Sequence, residues 1–116
     1  MNIALDWDGT YTEDPELWTG FIAAATARGH VVYCVTARIE SPANRAEVRI
    51  EGVETIFCGL ASKPIVTKAR GIEIDVWIDD NLAMCLLGKD GAEDIRYRRT
   101  VPVQWKPPQN RRGGRR

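Results

Sequence analysis

Short apolar and β-branched runs alternate along this chain with stretches that carry helix start and stop signals, and each run ends beside chemistry-bearing residues. Residues 2–5 stop at Asp6. Residues 31–35 (Val-Val-Tyr-Cys-Val) stop at Thr36, and residues 54–58 stop at Gly59. Residues 75–78 (Asp-Val-Trp-Ile) run straight into Asp79-Asp80-Asn81. Between these runs lie helical patterns. Residues 15–28 place Leu17, Phe21, Ala24 and Ala25 at helical spacing, with Asp14 as N-cap, Pro15 at the first helical position and Gly29 as the stop. Gly20 is a weak point inside that helix. Ser41-Pro42 opens a second helix over 42–51, closed near Gly52. Lys63-Pro64 opens a third over 63–70, stopped by Gly71. A short helix over 82–87 and a polar strand near 95–103 are expected to follow.

Strands alternating with helices in this way imply βαβ units and a mostly parallel sheet covered by helices on both faces. Open sheets of this kind bind ligands at the carboxyl ends of their strands, where the chain order reverses. That rule brings Asp6, Asp8, Thr36, Gly59, Asp79 and Asp80 to one rim, with Lys63 at the start of the third helix. Four carboxylates in a small volume repel one another and raise each other's pKa values. A lysine ammonium and a divalent cation resolve that repulsion. Hard oxygen ligands with few enclosing donors suit Mg²⁺, which keeps waters and shares its shell with a phosphate. A carboxylate at a strand end can attack a phosphoryl group and form an aspartyl-phosphate. A second carboxyl two residues later can protonate the leaving alkoxide and then activate water. Thr36 and Lys63 offer a hydroxyl and a positive charge to the transferring oxygens. Gly9 lets the backbone pass close to the phosphate, and Arg38, directly after Thr36-Ala37, is placed to touch substrate.

Asp6-Trp7-Asp8-Gly9-Thr10 resembles the first motif of the haloacid dehalogenase-like (HAD) superfamily, DxDGT. Residues 31–36, an apolar strand closing in Thr, resemble its second motif. Lys63 matches the third, and Val76-Trp77-Ile78-Asp79-Asp80 the fourth, in its acidic-pair variety. The resemblance spans roughly residues 2–88 in the family's order. It implies a three-layer α/β/α sandwich with a mostly parallel Rossmann-like sheet and a Mg²⁺-dependent phosphatase acting on a phosphorylated substrate. By the same resemblance Asp6 is the nucleophile and Asp8 the general acid/base. Thr36 and Lys63 hold the phosphate; Gly9, Ala37 and Arg38 are expected beside it from their positions next to Asp8 and Thr36. The metal is held by Asp6, the Asp8 backbone carbonyl and Asp80, with Asp79 a ligand or a partner of one. The aspartate at position 8 points to the phosphatase branch, because the dehalogenase branch lacks it.

Each residue also has a plainer role open to it. Thr36 can satisfy backbone at a strand end, and Lys63 can be an exposed lysine at a helix start, although the helix dipole disfavours it there. Lys68 competes for the lysine role, but Lys63 stands nearer the strand-end rim. Trp7 and Tyr11 flank the nucleophile and either stack on a base or sugar or pack beneath the loop. A receiver domain also gathers acids, a Thr and a Lys around a parallel sheet. It needs an acceptor Asp at the end of the third strand, where this chain has Cys58-Gly59.

The 116 residues allow one domain and no second one. HAD enzymes often carry a cap that selects the substrate. Here residues 9–14 and 37–62 leave no room for one, so the resemblance implies an open site suited to a large substrate (a phosphoprotein or a nucleic-acid end), to a nucleotide, or to a small molecule screened by a partner subunit. The zero net charge averages two unlike parts. Residues 106–116 carry five positive charges and no negative one, leaving 11 basic and 16 acidic residues in 1–105, a net of −5. The body is therefore expected at 1–105, with a disordered basic tail able to track a phosphate backbone or simply to be solvated. A HAD-fold adaptor that binds nucleic acid without turnover is the alternative to an enzyme. Cys34, Cys58 and Cys85 fit neither a disulfide framework nor a zinc spacing, and His30 has no acid or cysteine spaced to join it. The cysteines point to a reducing, cytoplasmic setting. No stretch of eighteen apolar residues is present for a membrane span, and the first residues lack the basic region of a signal peptide.

Overall fold

The computed structural model describes residues 1–86; the strand expected near 95–103 and the basic tail of 106–116 lie outside the described residues. Four strands form one all-parallel sheet: β1 (Asn2–Leu5), β2 (Val31–Thr36), β3 (Glu54–Phe57) and β4 (Val76–Ile78). Their order across the sheet is β3-β2-β1-β4. The chain steps outward from β1 through β2 to β3, then returns to the other side of β1 for β4. Its direction therefore reverses at β1, and the parallel strands bring all their carboxyl ends to one rim.

The helices connecting them begin where their caps dictate. In α1 (Pro15–Ala27) the Asp14 carboxylate accepts from Leu17 N at 3.1 Å, and in α2 (Pro42–Glu47) Ser41 Oγ accepts from Asn44 N at 3.1 Å. Both helices then place a proline in their first turn, where its missing N–H costs nothing. α3 (Lys63–Ala69) ends ahead of Gly71, and α4 (Ala83–Leu86) lies within the expected 82–87 segment.

The second helix is shorter than its sequence suggests. It stops at Glu47 instead of continuing to 51, because Val48 and Ile50 are both buried and a helix would aim residues two apart in nearly opposite directions. The chain leaves helical geometry at Val48, where the Thr55 hydroxyl donates to the Val48 carbonyl at 3.3 Å, and Ile50 bridges to Val53 in a turn.

Alternate residues of each strand enter separate apolar clusters. Ile3 and Leu5 join Val32, Cys34 and Ala25, against which Trp18, Phe21 and Ile22 of α1 pack. Ala4 joins Val35 and Ile56 in a second cluster with Val66 of α3, Ile72 and Trp77. Strand β4 is pinned at its start. Asn2 N donates to the Asp75 carboxylate, and Asp75 N donates to the Asn2 carbonyl, both at 2.8 Å. This clamp sets the register that pairs Leu5 with Ile78 and therefore aligns Asp6 with Asp79. None of the described helices is long and apolar enough to cross a membrane.

Gly20 is exposed on α1, and an added Cβ there meets nothing within 4 Å. Gly20→Ala is expected to stabilise the fold by about 0.5–1 kcal/mol, through helix propensity alone. Urea denaturation measures this, and an unchanged or lower midpoint contradicts it.

Candidate active site

Each strand delivers its last residue, or the one after it, to the rim. Asp6 follows β1 and is 7% exposed; its N–H donates to the Ile78 carbonyl, continuing the ladder that joins β1 to β4. Asp79 follows β4. Between them lies the Lys63 ammonium, 2.8 Å from Asp6 Oδ1 and 2.6 Å from Asp79 Oδ2. Lys63 is only 1% exposed, so two carboxylates grip a cation that has almost no water of its own. Burial disfavours the charge on this lysine, but its hydrogen bonds to Asp6 and Asp79 outweigh that and raise its pKa above the ordinary value. Lys68 is exposed in the last turn of α3. Of the two candidate lysines, Lys63 is the one at the strand-end acids.

Asp6 feels opposing influences. Burial raises it most, Lys63 pulls it back, and the neighbouring Asp80 and Asp79 add to the rise, leaving it pushed up to about 6. The Thr10 hydroxyl lies 3.4 Å from Asp6 Oδ2 and donates to it. One oxygen of Asp6 thus faces Lys63 and the other faces Thr10. Thr10 was not singled out as a site residue; its place immediately after Asp6-Trp7-Asp8-Gly9 was the available signal. The carboxylates of Asp6, Asp79 and Asp80 have oxygens within 4.8 Å of one another, close enough to share one cation.

Gly9 is positioned by necessity. Its φ is +82°, and a Cβ there would stand 2.4 Å from Asp80 Oδ2. The backbone after β1 and the carboxylate after β4 touch, and only glycine permits both the left-handed conformation and the approach.

Asp8 is turned elsewhere. Its exposed carboxylate takes two hydrogen bonds from Arg38, from Nε at 2.9 Å and from Nη2 at 2.8 Å. These hold Asp8 well below the usual carboxylate range. Arg38 is itself anchored from α2, by Glu47 at 2.8 Å and Asn44 at 3.2 Å. Asn44 and Glu47 had no distinguishing signal in the sequence, since their role depends on the direction in which α2 leaves the sheet. Thr36 is buried at the end of β2 and its hydroxyl accepts from Arg38 N at 3.2 Å, while Ala37 is exposed beside it.

The two aromatic residues of the first loop pack on each other. Trp7 is buried within the apolar core and stacks on Tyr11, ring centroids 4.9 Å apart, which withdraws its face from the rim. The cysteines are free, and burial pushes Cys34 up to about 12 and Cys58 up to about 11, unsuited to a thiolate role. His30 lies before β2, away from the strand-end rim, and Nδ1 is 2.8 Å from the Met1 amino group.

The arrangement brings a buried carboxylate, a fixed ammonium, a cation-sized acidic cluster and a guanidinium bridging Asp8 and Glu47 to one rim. Comparison with protein-family models, with curated proteins and with solved structures finds no match to the chain.

Removing Lys63 leaves two carboxylates facing each other without a counter-charge. Lys63→Met is expected to cost about 3–5 kcal/mol in metal-free buffer, and adding Asp79→Asn to recover part of that loss. A double-mutant cycle by urea denaturation checks both, and strict additivity contradicts the coupling. For Asp8 the sign is the usual carboxylate one. Its pKa is depressed in the folded chain, so its stabilising contribution is complete above about pH 4 and fades as pH falls through the lowered value. Asp8→Asn is therefore expected to lower the denaturation midpoint at pH 7, and the difference from the parent protein to shrink as pH falls through that lowered value.

Proposed function

We propose that this chain is a Mg²⁺-dependent phosphomonoester hydrolase of the haloacid dehalogenase-like superfamily, working through an aspartyl-phosphate on Asp6. The observation that carries this reading is the convergence of Asp6, Thr36, Lys63, Asp79 and Asp80 from separate strand ends and one helix start onto a single rim. The order β3-β2-β1-β4 and the division of apolar residues between two clusters support a Rossmann-like three-layer arrangement. Residues 6–14 and 37–62 hold only a short 3-10 turn, α2 and β3, which supports an uncapped, open site. Unpaired cysteines among the described residues support a cytoplasmic setting.

The residues fit a divalent cation. Asp6, Asp79 and Asp80 carry three negative charges against the one ammonium of Lys63, leaving two to be balanced, and every donor is a hard oxygen. Bound there by Asp6 and Asp80, with Asp79 beside them, Mg²⁺ would neutralise charge on the transferring phosphoryl oxygens.

The chain's own groups divide the reaction into two steps. An Asp6 carboxylate oxygen bonds to phosphorus as the bond to the ester oxygen breaks, and that oxygen receives a proton from Asp8. Asp8 then takes a proton from a water whose oxygen bonds to the same phosphorus; the bond to Asp6 breaks and inorganic phosphate leaves. Lys63 keeps Asp6 oriented and Thr36 offers its hydroxyl to the phosphoryl oxygens. The first step needs a protonated Asp8, and the guanidinium of Arg38 stands against that by holding Asp8 ionised. An incoming phosphoryl group supplies Arg38 with an alternative anion of suitable fork geometry, and so frees Asp8 to carry the proton.

p-Nitrophenyl phosphate hydrolysis with Mg²⁺ tests this. Turnover is expected to disappear with EDTA and in Asp6→Asn, and to fall by about 10²–10⁴-fold in Asp8→Asn. Activity that survives both EDTA and Asp6→Asn overturns the reading.

A further inference from the structure

Every N–H of the Arg38 guanidinium has a partner, and the partners divide by edge. Nε and Nη2 form the edge that meets Asp8, at 2.9 and 2.8 Å. Nη1 turns away from it, to Glu47 Oε1 at 2.8 Å and Asn44 Oδ1 at 3.2 Å. The second hydrogen of Nη2 goes to Glu47 Oε2 at 3.4 Å. One side of the guanidinium thus faces Asp8 and the other faces α2.

The α2 side is the more firmly built. Asn44 donates from Nδ2 to the Ile39 carbonyl at 2.7 Å and from its N–H to Ser41 Oγ at 3.1 Å, while its Oδ1 accepts from Arg38. A single amide so joins the backbone beside Arg38 to the Arg38 head group. Glu47 follows three residues later on the same helix, a spacing that puts it on the face of Asn44. The root of the arginine is tied as well, because Arg38 N donates to the Thr36 hydroxyl at the end of β2. Asp8 stands on a separate element, the loop after β1, and among the described residues its carboxylate is hydrogen-bonded by Arg38 alone.

A partly exposed ion pair such as Arg38–Glu47 adds little to stability, so the contact matters for where it places the guanidinium. An arginine loose in water gives up rotamer freedom to grip an anion; one already held on its far side does not. The edge left toward Asp8 is two-pronged, with the spacing that carboxylate and phosphoryl oxygens match.

Resting on the hydrolase reading above, we infer that Asn44 and Glu47 are positioning residues for phosphoryl binding: they hold the Nη1 side of Arg38 against α2, so that its Nε/Nη2 edge passes from Asp8 to the phosphoryl group without the guanidinium leaving its seat. Neither residue touches the substrate; both act through Arg38.

Steady-state kinetics of the full chain with p-nitrophenyl phosphate and Mg²⁺ test this. Asn44→Ala and Glu47→Ala are each expected to raise KM about three- to tenfold, with kcat within about twofold of the parent. Glu47→Gln, which keeps an acceptor for Nη1, is expected to recover part of that loss. In an Arg38→Met background the two alanine substitutions are expected to leave KM where Arg38→Met puts it, which a general loosening of α2 would not do. An unchanged KM, a lower KM (Glu47 then only competes with the substrate for Arg38), or a rise that persists without Arg38 overturns the inference while the hydrolase reading stands. Titration calorimetry of inorganic phosphate with Mg²⁺ repeats the comparison without turnover. If the parent protein does not turn over p-nitrophenyl phosphate, the hydrolase reading falls and the phosphate titration decides the positioning role. Weaker binding in both alanine variants, only while Arg38 is present, upholds it; equal binding, or none in the parent, overturns it.

Discussion

The Lys63 ammonium, held between Asp6 and Asp79, is the interaction on which the rest of the rim depends. It sits at the first position of α3, where the helix dipole disfavours a cation, and it is almost completely shielded from water. Both penalties are tolerable only because two carboxylates meet it at hydrogen-bond distance. The triad therefore fixes three elements together: the end of β1, the end of β4 and the start of α3. A buried ion pair of this kind contributes little net stability compared with apolar packing, so its presence points to a use for the charges themselves. The strands it joins are neighbours in the sheet but far apart in the chain. The Asn2–Asp75 clamp at their opposite ends keeps their register, and so keeps Asp6 level with Asp79.

Close contact on the other side of the cluster has a different origin. Asp80 is brought against Gly9 so tightly that no side chain fits between them. The first loop and the end of β4 are thus packed backbone to carboxylate, while Trp7 and Tyr11 fill the space beneath. The acidic cluster is in this way held close by packing and by glycine, against its own electrostatic repulsion. A site that stores repulsion in a fixed geometry is poised to receive positive charge, and that is the physical basis of the magnesium proposal.

Much of this was legible in the sequence because punctuation and chemistry coincide. The runs ending at Asp6, Thr36 and Asp79 form strands with boundaries within a residue or two of those read from apolar and β-branched composition and the polar residues that stop them. Asp14-Pro15 and Ser41-Pro42 start helices as capping rules require. The end of α2 was not legible, because Val48 and Ile50 look like helix residues until both are seen to be buried at a spacing of two. The Arg38 network was likewise hidden. Arg38 follows Thr36 closely enough to be suspected of touching substrate, yet nothing local says that it holds Asp8, or that Asn44 and Glu47 hold it. Those contacts depend on how α2 leaves the sheet, a tertiary property. Thr10 was in plain view but without a role until its hydroxyl was found against Asp6.

The two cation–carboxylate systems of the rim differ in a way that suits different tasks. Lys63 is buried, short of alternatives and locked; moving it would leave Asp6 and Asp79 unpaired in a nearly dry environment. Arg38 is held by partly exposed acids, Asp8 at 56% and Glu47 at 61% side-chain exposure, where water can replace a lost partner at small cost. A guanidinium in that position can exchange one anion for another, whereas the ammonium of Lys63 cannot. The first pair therefore keeps Asp6 in place, as the proposed mechanism requires of a nucleophile, and the second can be rearranged. Rearrangement is what a proton-carrying Asp8 demands, since a carboxylate clamped by an arginine is a poor acid. In the proposed hydrolase, a rim with one fixed and one exchangeable cation would make the binding of an anionic group and the release of a general acid the same event.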